Sequence, residues 1–233
     1  LQDAKTARKE LEFLIEKVPG LSDARYLMAL LDLAEKRLPE AEAGFKHLME
    51  KKDPRGMMGL VEVLMASNRA PQAKQILETA LREKPANPTA VKLALANISL
   101  RAQNFDEAAT QYQALIQENP KSAGLYLRLG ETYYNAKRYD EAAGAFAKAG
   151  ELAPSEVDPV VRLAMAYEKS GKKDMVKPLY DKILQLQPDN YIALNNVAYM
   201  LVEPGGDINL ALTYVQKARQ QEPNNPDIAD TLG

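Results

Sequence analysis

The five prolines Pro85, Pro120, Pro154, Pro188 and Pro223 stand 35, 34, 34 and 35 residues apart. A period of that length constrains the fold strongly, because one supersecondary unit must recur and bury its apolar face against the next copy. The residues between the prolines identify the unit. In 122–154, SAGLYLRLGETYYNAKRYDEAAGAFAKAGELAP, residues Tyr126, Leu129, Gly130, Tyr133 and Tyr134 recur at steps of three and four and share one side of a helix. Ala142, Phe146 and Ala149 do the same in a second helix. NAKRY supplies the turn between them, Asp140 and Glu141 place negative charge on the first turn of the second helix, and Pro154 closes the unit. Gly130 and Ala142 are small enough for the two backbones to cross closely.

The pattern of large aromatic, Leu-Gly, Tyr, Ala, aromatic, Ala and Pro, carried here by Tyr126, Leu129-Gly130, Tyr133, Ala142, Phe146, Ala149 and Pro154, resembles the tetratricopeptide repeat (TPR) family. The resemblance implies an all-α fold, a right-handed superhelical α-solenoid of antiparallel helix pairs, with binding as its general role. A single solenoid over 1–233 is expected, with full repeats at 22–54, 55–87, 88–120, 122–154, 156–188 and 190–223. Residues 1–19 read as a half repeat and 225–233 as a truncated one, so a fragment of a longer bacterial TPR protein is expected, its exposed end faces frayed or covered by self-association.

Departures from the pattern predict local structure. Pro39 falls in the first turn of a second helix, where its missing N–H costs nothing. Val61 replaces the small residue of the second repeat, which predicts a wider crossing there. Asn87-Pro88 reads as an N-cap followed by Pro at the first helical position. Pro178 lies deeper in its helix and predicts a kink or a delayed start. The long turn VEPGGDIN carries two glycines able to take positive φ.

Chemistry finds little support. The chain has no cysteine, which excludes disulfides and thiolate sites, and its 30 basic against 32 acidic residues give no electrostatic reason to expect nucleic acid. No apolar run is long enough to span a bilayer, so no direct membrane insertion of these residues is expected. The single histidine, His47, is expected on a solvent face, and no phosphate loop or metal-spaced carboxylate cluster appears. No catalytic residue, cofactor or metal is therefore expected. Asn97-Ile98-Ser99 matches a glycosylation acceptor by letter but falls in mid-helix. Most tyrosines occupy signature core positions; Tyr134 and Tyr199 are offset toward the inner wall.

In the family the inner wall is built from the first helix of each repeat, one and five places after the first signature aromatic. Carried onto this chain, the resemblance implies Leu27 and Leu31, Met58 and Glu62, Leu93 and Asn97, Leu127 and Glu131, Val161 and Met165, and Asn195 and Tyr199. Arg128, Tyr134, Arg162 and Asn196 lie alongside. Apolar residues lead in five consecutive repeats, and Leu93, Leu127 and Val161 are expected to form a stripe for a peptide or helix of another protein. Packing against the next repeat is the alternative account of those side chains. The Lys/Asn set by which chaperone-binding TPRs grip a terminal carboxylate is missing. A non-catalytic protein-interaction scaffold is the leading expectation; the recruiting arm of a larger enzyme, such as a transferase, is the second. The stretch 193–233 is similar to late repeats of large bacterial TPR proteins, some of them envelope lipoproteins linked to exopolysaccharide production, which leaves cytoplasm and periplasm or envelope both open.

Overall fold

The computed structural model describes residues 2–85, 87–202 and 206–232. Within them the periodic segments become α1 (Gln2–Lys17), α2 (Ser22–Ala34), α3 (Leu38–Glu50), α4 (Pro54–Ala66), α5 (Ala70–Arg82), α6 (Pro88–Arg101), α7 (Phe105–Glu118), α8 (Ala123–Asn135), α9 (Tyr139–Leu152), α10 (Asp158–Lys169), α11 (Val176–Leu186), α12 (Tyr191–Leu201), α13 (Ile208–Gln221) and α14 (Pro226–Leu232). No strand interrupts them among the described residues, and the all-α repeat fold expected from the sequence is what forms. The chain divides into two compact units, Leu1–Ala102 and Gln103–Gly233. The division falls between α6 and α7, the two helices of the 88–120 repeat. Inside each unit, consecutive helices pack as antiparallel neighbours through short turns.

Sequence chemistry accounts for the helix boundaries. Asn87 accepts from the Ala90 N–H at 3.0 Å and Pro88 follows it, as the Asn-Pro pair predicts. Asp53, Asn190 and Asp207 cap α4, α12 and α13 in the same way, and Pro39 sits in the first turn of α3. Helices α2, α3, α4, α8 and α10 end on a residue of positive φ, namely Lys36, Lys52, Asn68, Lys137 and Gly171. After α8, the Lys137 N–H reaches the Tyr134 carbonyl at 3.0 Å and the Arg138 N–H the Tyr133 carbonyl at 2.8 Å. These paired bonds satisfy carbonyls that a helix end leaves open.

Pro178 has the predicted effect. The α9 helix begins at Tyr139, but 34 residues later, at Lys173, a 3-10 turn over Lys173–Met175 comes first and α-helical geometry starts only at Val176. Pro178 then lies in the first turn of α11, where no donor is lost. The turn at 202–209 holds the two glycines of VEPGGDIN. Gly205 lies outside the described residues, and the space around Gly206 shows what that position needs. A side chain at Gly206 would lie 2.1 Å from the Leu201 carbonyl oxygen, so close approach requires glycine there.

In the first unit Phe45, Leu48, Val63 and Leu77 are fully buried, with Leu60, Leu64 and Val91 around them. The Phe45 ring occupies space that Gly59 leaves free. Val61 stands where α8 has Gly130 and is itself buried in this core. In the second unit Gly130 lies against the Phe146 ring, a Cβ there falling 2.5 Å from a ring carbon. Tyr180, Ile183, Val176 and Val197 form one core of this unit; Leu194, Ala198, Val215 and Ile228 form the next.

Charged pairs tie neighbouring helices. Buried Asp32 on α2 holds Arg8 of α1 at 2.8 Å, and Arg8 also reaches Glu35 at 2.6 Å. Asp106 with Arg138 and Asp140 with Lys172 repeat one inter-repeat pair, at 3.0 and 2.9 Å. Such exposed pairs contribute little stability. Glu42 is better enclosed. Arg69 donates to its carboxylate from the turn after α4 and Lys46 approaches at 2.7 Å, and these bonds hold its pKa down to about 2. A depressed carboxylate stabilises the fold above its unfolded value and loses that contribution as pH falls through the folded one. Glu42→Gln is therefore expected to cost about 1 to 2 kcal/mol near neutral pH. Urea unfolding at stepped pH should show the gap from wild type closing between about pH 4.5 and pH 2; a gap constant across that range would contradict the assignment.

Candidate functional site: three clefts lined by first helices of repeats

The first helix of each repeat carries the expected wall residues, and the structure gathers some of them into clefts. In the second unit, Glu131, Tyr134 and Asn135 of α8 meet Arg162 and Met165 of α10 around a cleft of about 240 Å³, with Phe146 also lining it. Glu131 accepts from Arg128 at 2.8 Å along its own helix and pairs with Arg162 at 2.8 Å from the next first helix. Asp158 holds the other edge of the Arg162 guanidinium at 2.8 Å. That network fixes the guanidinium plane beside Met165, which is 40% exposed. The Tyr134 ring packs edge-on against Tyr139 at 5.4 Å, and burial pushes its phenol pKa upward, so it stays neutral. The cleft thus offers an aromatic wall, a thioether and fixed charges of both signs.

A second cleft in this unit, about 630 Å³, is lined by Asn196, Tyr199 and Met200 of α12 and by Glu168, Lys173, Asp174, Val176 and Lys177. Tyr199 is 67% exposed, a large aromatic surface left to solvent. The buried Tyr180 hydroxyl donates to Glu168 at 2.9 Å, and burial raises the Tyr180 pKa. The cleft lies beside the 3-10 turn that Pro178 sets.

The first unit holds the largest of the three, about 710 Å³, reaching from Tyr26 and Leu30 of α2 across Met57, Met58, Gly59 and Glu62 of α4 to Ala90 and Val91 of α6. Met49, Lys52, Asp53, Arg55 and Glu83 border it. Arg55 lies 4.6 Å above the Tyr26 ring and pairs with Asp53 at 2.7 Å and Asp23 at 2.8 Å.

Of the expected wall residues, Met58, Glu62, Glu131, Tyr134, Arg162, Met165, Asn196 and Tyr199 line these clefts. Leu27, Leu31, Leu93, Asn97, Leu127, Arg128, Val161 and Asn195 do not line them. Met58 and Val161 are partly buried against the apolar cores of their units, so packing accounts for much of their apolar character. Leu93 and Leu127 are half-buried, while Leu27 is 51% exposed. Sequence reasoning missed Met49, Met57, Lys173 and Met200, because Met49 lies on a second helix, Lys173 in a turn, and Met57 and Met200 one place off the family's positions. Clustering of Met49, Met57, Met58 and Met65 was the available signal.

Residues weighed for chemistry stay apart from these clefts. His47 is half-buried on α3, off that helix's buried face of Ala41, Phe45 and Leu48. Among the described residues no three His, Cys, Asp or Glu side chains are placed to hold a metal, and no helix is long and apolar enough to cross a membrane. Ile98 and Ser99 of the acceptor-like triplet are buried in α6.

Comparison with known proteins gives the geometry its context. Tetratricopeptide-repeat models match residues 47–98, 93–157 and 158–190, together more than half of the chain. No curated protein sequence matches it. Among solved structures, the C-terminal part of a TPR repeat-containing protein from Cytophaga hutchinsonii superposes with a TM-score of 0.72 at 17% identity, covering 99% of this chain and 95% of that one. MamA from Desulfovibrio magneticus RS-1 gives 0.59 at 18% identity over 72% of this chain and 96% of its own. YrrB, described as a TPR protein with an unusual peptide-binding site, gives 0.54 at 21% identity over 80% and 97%. At these identities the structures share the fold. With its period, its signature residues, its paired helices and these matches all in agreement, the chain belongs to the tetratricopeptide-repeat family.

Proposed function

We propose that this protein is a non-catalytic scaffold that holds a peptide or helix of a partner protein along the first helices of its repeats, with the Tyr134 cleft of the second unit as a contact point. The observation that carries this reading is the meeting of Glu131 and Tyr134 from one repeat with Arg162 and Met165 from the next around one cleft. Tyrosine and arginine are the residue types that most often dominate an interface, and here both are held in place before any partner arrives. Pairing of Arg162 with Glu131 and Asp158 leaves no single sign of charge dominant, so the fitting segment carries apolar anchors with mixed charge. The peptide-binding site ascribed to YrrB, a protein of the same fold, supports a peptide as the ligand class.

A photo-crosslinking residue distinguishes this wall from the outer one. Placed at Met165 or Tyr199, both exposed, it is expected to trap the same partner proteins in cells, whereas at Lys182, exposed on a second helix, it should trap none. Tyr134→Ala should reduce the yield at Met165 by about tenfold while far-UV helicity is kept. Trapping at Lys182 with none at Met165 would move the binding surface to the second helices and sink the proposal.

A further inference from the structure

We infer that the cleft of the first unit is a separate docking site for a basic amphipathic helix from another protein, with Met49, Met57 and Met58 receiving its apolar side chains and Glu62 and Glu83 its lysines or arginines. The apolar part of the argument rests on side-chain type. Three methionines border one cleft, beside Leu30 and Val91. Methionine is unbranched and polarizable, so a surface built from it adapts to the varied face of a helix better than one built from branched residues.

The charges identify the partner's sign. Arg55 is satisfied by Asp53, Asp23 and the Tyr26 ring, so it and Asp53 compensate each other. Lys52 lies just past the end of α3, where the helix dipole accounts for a cation. Two bordering groups have no such account. Glu62 is the only charged residue of α4 after its first turn, and it is exposed. Glu83 is the C-cap of α5, the end where the dipole disfavours a carboxylate. Neither forms an ion pair among the described residues. Both unexplained charges are negative and both border the methionine-lined floor, which matches a helix with an apolar stripe flanked by cations.

This site lies in the other unit from the Tyr134 cleft, so failure here leaves that reading standing, and the test separates them. The full chain, labelled with methyl-13C methionine, is titrated with a Leu/Lys amphipathic peptide of about 18 residues, long enough to form a helix on binding, and with its Leu/Glu counterpart. Expected is a shift of the Met49, Met57 and Met58 methyl signals by the Leu/Lys peptide, with Met165, Met175 and Met200 unmoved. The Leu/Glu peptide should bind at least about tenfold more weakly. Glu62→Gln combined with Glu83→Gln, both exposed and therefore tolerated by the fold, should weaken the Leu/Lys peptide about tenfold. Equal affinity for both peptides, shifts confined to Met165, Met175 or Met200, or unchanged affinity in the double variant would each overturn the inference.

Discussion

Phe45→Ala is expected to destabilise the first unit by about 3 to 5 kcal/mol, the range for truncating a fully buried aromatic ring. Phe45 is 0% exposed, its ring meets Tyr26 edge-on at 6.2 Å, and α4 passes over it through Gly59. A Cβ added at Gly59 would stand 2.2 Å from the ring, so ring and glycine are two halves of one contact. Gly59→Ala should therefore cost about 1 to 3 kcal/mol from overpacking, partly offset by roughly 1 kcal/mol of helix propensity. In a Phe45→Leu background the same alanine meets a smaller side chain and should be neutral or stabilising. Urea unfolding of the four proteins gives the coupling directly. A cost for Gly59→Ala that is the same in both backgrounds would show that the ring does not set the need for glycine.

The Gly130 and Phe146 pair repeats this arrangement in the second unit, where both are signature residues, although the sequence pointed to Gly130 only as a small partner of Ala142 in a close backbone crossing. At Phe45 the partner glycine lies in the following repeat, outside the family's own small-residue position, so no motif points to it. Boundaries were readable where a side chain acts on its own backbone: Asn87 caps, Pro39 opens, Pro178 delays. The inner wall was less so. Period places Leu93, Leu127 and Val161 on corresponding positions, but how far each side chain is taken up by neighbouring helices depends on packing between elements, which periodicity does not encode. Fixed charge was half legible. The family resemblance implied Arg128, Glu131 and Arg162 on one wall, but the 2.8 Å bridge between Glu131 and Arg162 depends on the exact offset of two successive first helices.

The helix ends hold the second large effect, and it is stabilising. Lys36, Lys52, Asn68, Lys84, Gln103 and Lys137 have φ between 53° and 61°, in the left-handed region where a Cβ crowds the following carbonyl. Gly171 occupies the same kind of position after α10, at φ 76°, with the paired return bonds also made at Lys36, Lys52, Asn68 and Lys137. Glycine relieves about 1 kcal/mol of local strain at such a site and returns part of it as extra freedom of the unfolded chain. A net gain of about 0.5 kcal/mol per site is the expectation. Loss of a lysine charge near a helix C-terminus subtracts a few tenths more where the side chain is exposed. Asn68 and Gln103 are uncharged and lose no dipole interaction, and Gln103 should show the full gain while Asn68 gains less because asparagine tolerates this region best. The sites lie on separate turns, so the effects should add, and the sixfold glycine variant is expected to gain about 2 to 3 kcal/mol in urea unfolding. Gly171→Ala should lose about 1 kcal/mol in the same assay. A sixfold variant no more stable than wild type, with Gly171→Ala neutral, would mean that these left-handed positions hold no strain for glycine to relieve, and that the lysines are held there at no cost to the fold.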